Sequence, residues 1–252
     1  MPTPILEPLV SAALEAGADI LCVYTEGCAV DIKPDGSPVT IADQRAEAII
    51  LAALARDFPG VPVVAEEEAC AGRIPADLGT RFFLVDPLDG TRGFADRTGE
   101  FTVNIALIEN GDPVAGVVYA PVPDALYFGE IGHGASRRLK GGAEEAIATR
   151  SRLPGRLDAV GSRNHASPED AARLAEMGVT GHVASGSSLK FCVLAEGGAD
   201  VYPRWGRTME WDTAAGHAVL EAAGGRVLDL AGDPLRYGKP GFENPHFIAW
   251  GT

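Results

Sequence analysis

Basic residues are scarce in this chain: 21 Lys and Arg stand against 35 Asp and Glu, a formal charge of -14. A surface so short of positive charge argues against a nucleic-acid polymer as partner, because polymer phosphates demand a positive field. A small phosphorylated ligand stays open, provided cations sit between it and the carboxylates. Long apolar runs are missing too. Nothing approaches the roughly 18 consecutive apolar residues of a membrane span, so none is expected. The opening MPTPILEPLV has no basic n-region and no cleavage site, and no export signal is expected. Cysteines are few. Cys22, Cys28, Cys70 and Cys192 have no metal-type spacing, and the chain is too large to need disulfide staples. Reduced thiols in a cytoplasmic protein are the expectation. No repeat or low-complexity segment is present. The rest is ordinary globular composition, 46% hydrophobic and 22% charged over 252 residues, enough for one large domain or two small ones.

The most informative stretch runs from Arg81 to Leu107. The apolar run Phe82-Phe83-Leu84-Val85 ends in Asp86-Pro87-Leu88-Asp89-Gly90-Thr91, so two carboxylates sit where a buried strand is expected to break into a tight turn. Pro87 removes a donor and Gly90 permits conformations closed to other residues. Such a turn aims both carboxylates at one point beside the free N–H groups of Gly90 and Thr91, which is what a divalent metal and a phosphate need together. The same residues also make an Asx-rich turn that merely stops a strand. This segment alone does not choose.

In chain order, residues 5–24 place Leu6, Leu9, Val10, Ala13, Leu14, Gly17, Ile20, Leu21 and Tyr24 at helical spacing. Residues 31–38 read as a turn-rich loop. Thr40-Ile41-Ala42-Asp43 opens a second helix to about Phe58, with a pattern close to a capping box; capping explains Thr40 and Asp43 without any chemistry. Val61 to Ala65 reads as a buried strand running into Glu66-Glu67-Glu68, which by themselves suggest a solvated loop. If this strand and Phe82–Val85 are parallel neighbours, Glu66 and Asp86 lie side by side, where ligands bind in open α/β sheets. Phe101–Ile108 and Pro113–Tyr119 form a hairpin across Glu109-Asn110-Gly111-Asp112, and Ala125–Phe128 adds a strand. Between about Ser136 and Arg156 the apolar pattern is lost. The boundary is placed there, giving an N-terminal half over 1–150 and a C-terminal half over 151–252. The second half reads as strand Leu157–Val160, a helix capped by Ser167-Pro168, helix Ser187–Glu196, strand Ala199–Tyr202, a small-residue helix Ala214–Ala223 headed by Trp211-Asp212-Thr213, and strands Val227–Leu230 and Phe247–Trp250. For Asp212, N-capping is the simpler explanation, although the rigidity of such a helix also suits a metal ligand. Hairpins among the alternating strands and helices predict a layered mixed α/β fold.

Ala65-Glu66-Glu67, Asp86-Pro87-Leu88-Asp89-Gly90-Thr91 and Trp211-Asp212-Thr213-Ala214-Ala215-Gly216 resemble the three signatures of the inositol monophosphatase superfamily, metal-dependent and lithium-sensitive phosphatases with an αβαβα layered sandwich. The chain is most similar to the CysQ-type 3′(2′),5′-bisphosphate nucleotidase branch, through Gly99–Leu107, Gly116–Pro121, Gly186–Cys192 and Tyr202-Pro203-Arg204. The likeness spans nearly the whole chain, and Ala65 and Arg92 depart from common choices without touching a ligand. The resemblance implies metal ligation by Glu66, Asp86, Asp89, Asp212 and the carbonyl of Leu88, with Mg²⁺ as the cofactor, two or more ions, and Li⁺ as inhibitor. It gives Asp43 and Thr91 the attacking water, with Glu67 close by as a further catalytic candidate. Gly90 and Thr91 N–H groups hold the scissile phosphate, and His165, Ser187, Lys190 and Arg204 bind the rest of the substrate. Where inositol phosphatases carry a carboxylate, Arg204 suits a second phosphate. The expected reaction removes the 3′-phosphate of 3′-phosphoadenosine 5′-phosphate, clearing a by-product of sulfate assimilation, in a monomer or homodimer. No Ser, Cys or His nucleophile is called for, since His133, His165, His182, His217 and His246 form no ligand-spaced cluster. The alternatives are another phosphatase of the superfamily, acting on inositol or histidinol phosphate, and a non-catalytic regulator that keeps the fold.

Overall fold

Residues 82–85 are apolar at every position, and successive side chains of a strand point to opposite faces, so a strand there has to be covered on both sides. The computed structural model describes residues 2–27, 29–32, 38–152, 154–161 and 167–252. The chain opens with helix α1 (Leu6–Glu26), short antiparallel strands β1 (Val30–Ile32) and β2 (Pro38–Thr40), and helix α2 (Ile41–Asp57). Strand β3 (Val63–Ala65), helix α3 (Glu66–Cys70), strand β4 (Arg81–Asp89) and the short helix α4 (Thr91–Ala95) follow. Next comes a meander of β5 (Thr102–Glu109), β6 (Asp112–Ala120), β7 (Ala125–Glu130), β8 (Gly134–Leu139) and β9 (Glu144–Ile147). The remainder is β10 (Asp158–Gly161), α5 (Pro168–Glu176), β11 (Gly181–Ala184), α6 (Leu189–Ala195), β12 (Val201–Arg204), α7 (Glu210–Ala222), β13 (Arg226–Asp229) and β14 (Phe247–Trp250).

Strands β3 to β9 make one seven-stranded sheet in sequence order, parallel only between β3 and β4. The last five strands make a second sheet ordered β11-β10-β12-β14-β13. One face of β4 and β5 (Phe83, Val85, Ile105, Leu107) packs on Leu9, Ile20, Ile50 and Leu54 of α1 and α2. The other face (Phe82, Leu84, Ala106, Ile108) enters a core shared with α6, α7 and the second sheet through Phe191, Val219, Tyr202 and Phe247. Leu174 and Met177 at the end of α5 cover Leu157, Ala159 and Val201 on the far side. The layers therefore run α, β, α, β, α, as expected.

The small residues of α7 explain how closely it sits. A Cβ on Gly116 of β6 would stand 2.5 Å from the carbonyl oxygen of Ala215 and 2.8 Å from Ala218 Cβ. This contact lays α7 on the meander and fixes where Asp212, in its first turn, can be.

Several local expectations are corrected. Strand β4 does not break at Asp86: pairing passes from Asp86↔Asn104 to Asp89↔Thr102 with one extra residue on β4. Pro87 lies in this bulge, where a missing N–H costs no ladder bond. The turn falls at Gly90, φ +94°. Glu66–Glu68 form the start of α3 rather than a loop. The stretch after Ser136 holds the rest of β8 and β9, whose side chains beyond buried Ala135 are partly or fully exposed and leave no apolar signature, and β11 shows none for the same reason. Ser187 precedes α6 rather than belonging to it. Asp212 is the third residue of α7, not its N-cap. His165 and the middle of the 31–38 loop lie outside the described residues.

Candidate active site

Parallel pairing of Ala65 with Val85 puts the next residues, Glu66 and Asp86, side by side at one sheet end. Asp86 is 1% exposed. Burial, then the carboxylates of Glu66, Asp89 and Asp212, and a hydrogen bond shared with Glu66, hold its carboxyl well above the usual carboxylate range. Asp212 is pushed up to about 8, chiefly by burial and then by Asp89. Residues from α3, β4 and α7 thus meet here.

Each aspartate has one oxygen fixed by a backbone donor. The Leu88 N–H donates to Asp86 Oδ1 (3.0 Å), the Ser188 N–H to Asp89 Oδ2 (2.7 Å) and the Met209 N–H to Asp212 Oδ2 (2.8 Å). Ser187 Oγ also donates to Asp89 Oδ2. Asp43, 2% exposed, is held at the head of α2, where Oδ2 accepts from Thr40 N (2.7 Å) and Thr40 Oγ1 (2.8 Å). Its Oδ1 lies 3.2 Å from Thr91 Oγ1, which is also 3.2 Å from the Leu88 carbonyl oxygen. The capping explanation for Asp43 therefore holds for one oxygen, and the other reaches Thr91.

Gly90 is required by geometry. Besides its positive φ, a Cβ there would stand 2.6 Å from the Glu100 carbonyl oxygen. Beside it opens a cleft of about 590 Å³ that contains Asp89, Ser187, Lys190, Arg204 and Asp212. Lys190 is buried, not a surface charge. Its Nζ donates to the Ser187 carbonyl (2.6 Å), lies 5.4 Å from the centre of the Tyr202 ring, and is pulled down to about 8 by burial. Arg204 Nη2 donates to the Arg207 carbonyl (3.2 Å), while its Nε is buried with no partner among the described residues.

Glu67 is placed differently from the main group. With Glu47 and Gln44 it lines a neighbouring depression. Glu47, unnoticed in the sequence, is 4% exposed and accepts from the N–H groups of Glu67 (2.8 Å) and Glu68 (3.0 Å). Burial pushes it up to about 7. Only a helix face carrying one acid too many could have betrayed it. Thr102 and Ser188, 2.8 Å apart at Oγ1 and Oγ, were also missed as polar groups behind Asp89.

Among the described residues no three Asp, Glu, His or Cys side chains are gathered tightly enough to grip an ion as they stand, yet Asp86 responds to Glu66, Asp89 and Asp212 together. The second observation speaks to the chemistry. A hydrogen bond between two carboxyl groups needs a proton on one of them, and a cation between them does the same work. The donors are all oxygen, which suits a hard divalent ion. The residues fit a metal.

The chain is 44% identical over 246 residues to the 3′(2′),5′-bisphosphate nucleotidase CysQ of Escherichia coli K12, covering 96% of this chain and 98% of that protein. The structure of CysQ from Bacteroides thetaiotaomicron, a bacterial member of the inositol monophosphatase family, superposes with a TM-score of 0.80 at 40% identity, covering 97% and 96% of the two chains. The inositol monophosphatase of Anabaena sp. PCC 7120 superposes at 0.76 with 28% identity, covering 98% and 90%. Residues 1–248 match the Inositol monophosphatase family, and the chain belongs to it.

Proposed function

We propose that this protein is a Mg²⁺-dependent 3′(2′),5′-bisphosphate nucleotidase that hydrolyses the 3′-phosphate of 3′-phosphoadenosine 5′-phosphate to AMP and phosphate. The observation that carries the reading is the placing of buried Lys190 beside Arg204, whose Nε is a buried donor with no partner among the described residues, across one cleft from the carboxylate group. An ester with a single phosphate uses only the carboxylate side. A second phosphate uses both, through charge-assisted hydrogen bonds. A further hollow of about 350 Å³, walled by Val160, Leu174, Tyr202 and Trp205, shares Lys190 and Arg204 with the cleft and suits an adenine ring.

In this reading Glu66, Asp86, Asp89, Asp212 and the Leu88 carbonyl hold Mg²⁺, two ions or more. Bound there, the metal supplies the charge that offsets phosphate and leaving oxygen and lowers the pKa of water. Gly90 and Thr91 N–H groups orient the scissile phosphate. Thr91 Oγ1, hydrogen-bonded to Asp43 Oδ1, positions the attacking water and passes its proton toward Asp43. As the P–O bond to water forms, the ester P–O bond breaks, and the leaving ribose oxygen takes a proton from solvent, matching the one given to Asp43, to become a hydroxyl. Glu67 acts from beside the site, and His165 is kept as a nucleotide contact. The cytoplasm is the proposed compartment. No helix of the described residues is long and apolar enough to cross a membrane.

Phosphate release from the bisphosphate nucleotide and from inositol 1-phosphate, each with and without Mg²⁺, tests this. The nucleotide is expected to be cleaved faster, with Mg²⁺ required and Li⁺ inhibitory. Faster cleavage of the inositol ester would overturn the substrate assignment.

A further inference from the structure

Ser187 sits in the left-handed region at φ +53°, where a residue with a side chain persists only when its surroundings over-determine it. A file of polar side chains does so. Ser187 Oγ donates to Asp89 Oδ2 and lies 2.8 Å from Thr102 Oγ1. Thr102 Oγ1 lies 2.8 Å from Ser188 Oγ, and Ser188 Oγ lies 2.7 Å from Asn104 Oδ1. Thr102, Ser188 and Asn104 are at most 2% exposed, so bulk water does not serve these oxygens.

The protons do not balance with the Asn104 amide in this orientation. Four contacts link Asn104 to Asp89 through three hydroxyls, and Ser188 spends its proton on Asn104. One pair of oxygens is then left without a hydrogen between them. Meanwhile Asn104 Nδ2 is buried with no partner among the described residues. A half-turn of the amide exchanges its nitrogen and oxygen. Nδ2–H then donates to Ser188, Ser188 to Thr102, Thr102 to Ser187 and Ser187 to Asp89, whose carbonyl oxygen, 2.9 Å from Ser187 Oγ, is a second acceptor beside Oδ2, so that every contact from Asn104 to the Asp89 carboxylate has one proton. The amide oxygen takes the unmatched place, and a bare acceptor is commoner in folded proteins than a bare donor.

We infer that Asn104, Ser188, Thr102 and Ser187 form one directed hydrogen-bond chain ending on Asp89 Oδ2, which makes Asn104, Ser188 and Thr102 positioning residues for that carboxylate. With Ser187 O–H and Ser188 N–H both on Oδ2, Oδ1 is the oxygen turned to a cation. The inference rests on the reading of Asp89 as a metal ligand. Groups behind a ligand typically change metal affinity about 10- to 100-fold when removed.

Direct Mn²⁺ binding, read from the electron paramagnetic resonance of the free ion, tests it together with the Mg²⁺ dependence of nucleotide hydrolysis. Thr102→Val keeps the shape and cuts the chain. It is expected to weaken Mn²⁺ binding about 10-fold and to raise the Mg²⁺ needed for half-maximal rate by more than it lowers kcat at saturating Mg²⁺. Thr102→Ser is expected to restore both. Wild-type affinity in Thr102→Val, or no rescue by Thr102→Ser, overturns the chain. If circular dichroism finds Thr102→Val unfolded, Ser188→Ala carries the test with the same direction. A wild-type protein that binds no Mn²⁺ would instead overturn Asp89 as a ligand, and the proposed function with it, before any substitution is compared.

Discussion

Asp89 combines two demands in one side chain: Oδ2 is committed to the Ser187 loop, and Oδ1 is the oxygen proposed to face a cation. Asp89→Asn removes the charge but little volume. It is expected to lower kcat/KM by at least about 100-fold, which is roughly 2.7 kcal/mol of transition-state stabilisation, with an unchanged circular dichroism spectrum. Retained turnover in a folded variant would remove Asp89 from the metal site. Glu47 makes a different prediction. Its folded-state pKa is raised from 4.5 to about 7, so between those values the folded protein holds more protons than the unfolded chain and stability falls as pH rises. At about 1.4 kcal/mol per unit, on the order of 3 kcal/mol is at stake. Glu47→Gln keeps an acceptor for α3 but does not titrate. With chelator present, its melting temperature is expected to vary less across this window than that of the wild type. An identical slope would assign the pH dependence elsewhere.

Among the elements, α7 has the least room. Gly116→Val would drive a side chain into the Ala215 carbonyl and Ala218, which cannot retreat without moving the helix. Overpacking of this kind costs about 1–3 kcal/mol, or roughly 2–10 °C in melting temperature. Because Asp212 rides on α7, the metal requirement is expected to rise in parallel. A destabilised variant with wild-type Mg²⁺ dependence would separate the packing of α7 from the site. Elements whose physics is local were legible in the sequence. Helices α1, α2 and α5 follow from apolar spacing and from the Thr40 and Ser167 caps, and the β5–β6 hairpin follows from Asn110-Gly111, both at positive φ. Strands β8, β9 and β11 were not, because outer strands of a sheet need no continuous apolar face. The bulge in β4 was not either, since a register shift depends on the partner strand.

Across the whole molecule, the site exists because two sheets are clamped around α6 and α7. Arg150, on the connection between the sheets, joins Asp200 Oδ1 (2.9 Å) to Asp158 Oδ2 (2.6 Å), both nearly buried. The Asp158 N–H donates to Asp200 Oδ2 (2.7 Å), so the N-terminal ends of β10 and β12 are tied through Arg150, with Arg156 Nε also donating to Asp158 Oδ2 (2.8 Å). The carboxylates of the site could be named from the sequence because they stand in dense local motifs. Their supporting groups could not. Glu47, Thr102 and Asn104 act on residues 20 to 86 positions away, and a partner at that distance leaves no periodicity to read. The most direct test of the account is anomalous diffraction from crystals grown with Mn²⁺ and 3′-phosphoadenosine 5′-phosphate. Manganese peaks bridged by Glu66, Asp86, Asp89 and Asp212, with Lys190 and Arg204 on the other phosphate, are the predicted result. Peaks elsewhere, or those four side chains holding no ion, would contradict it.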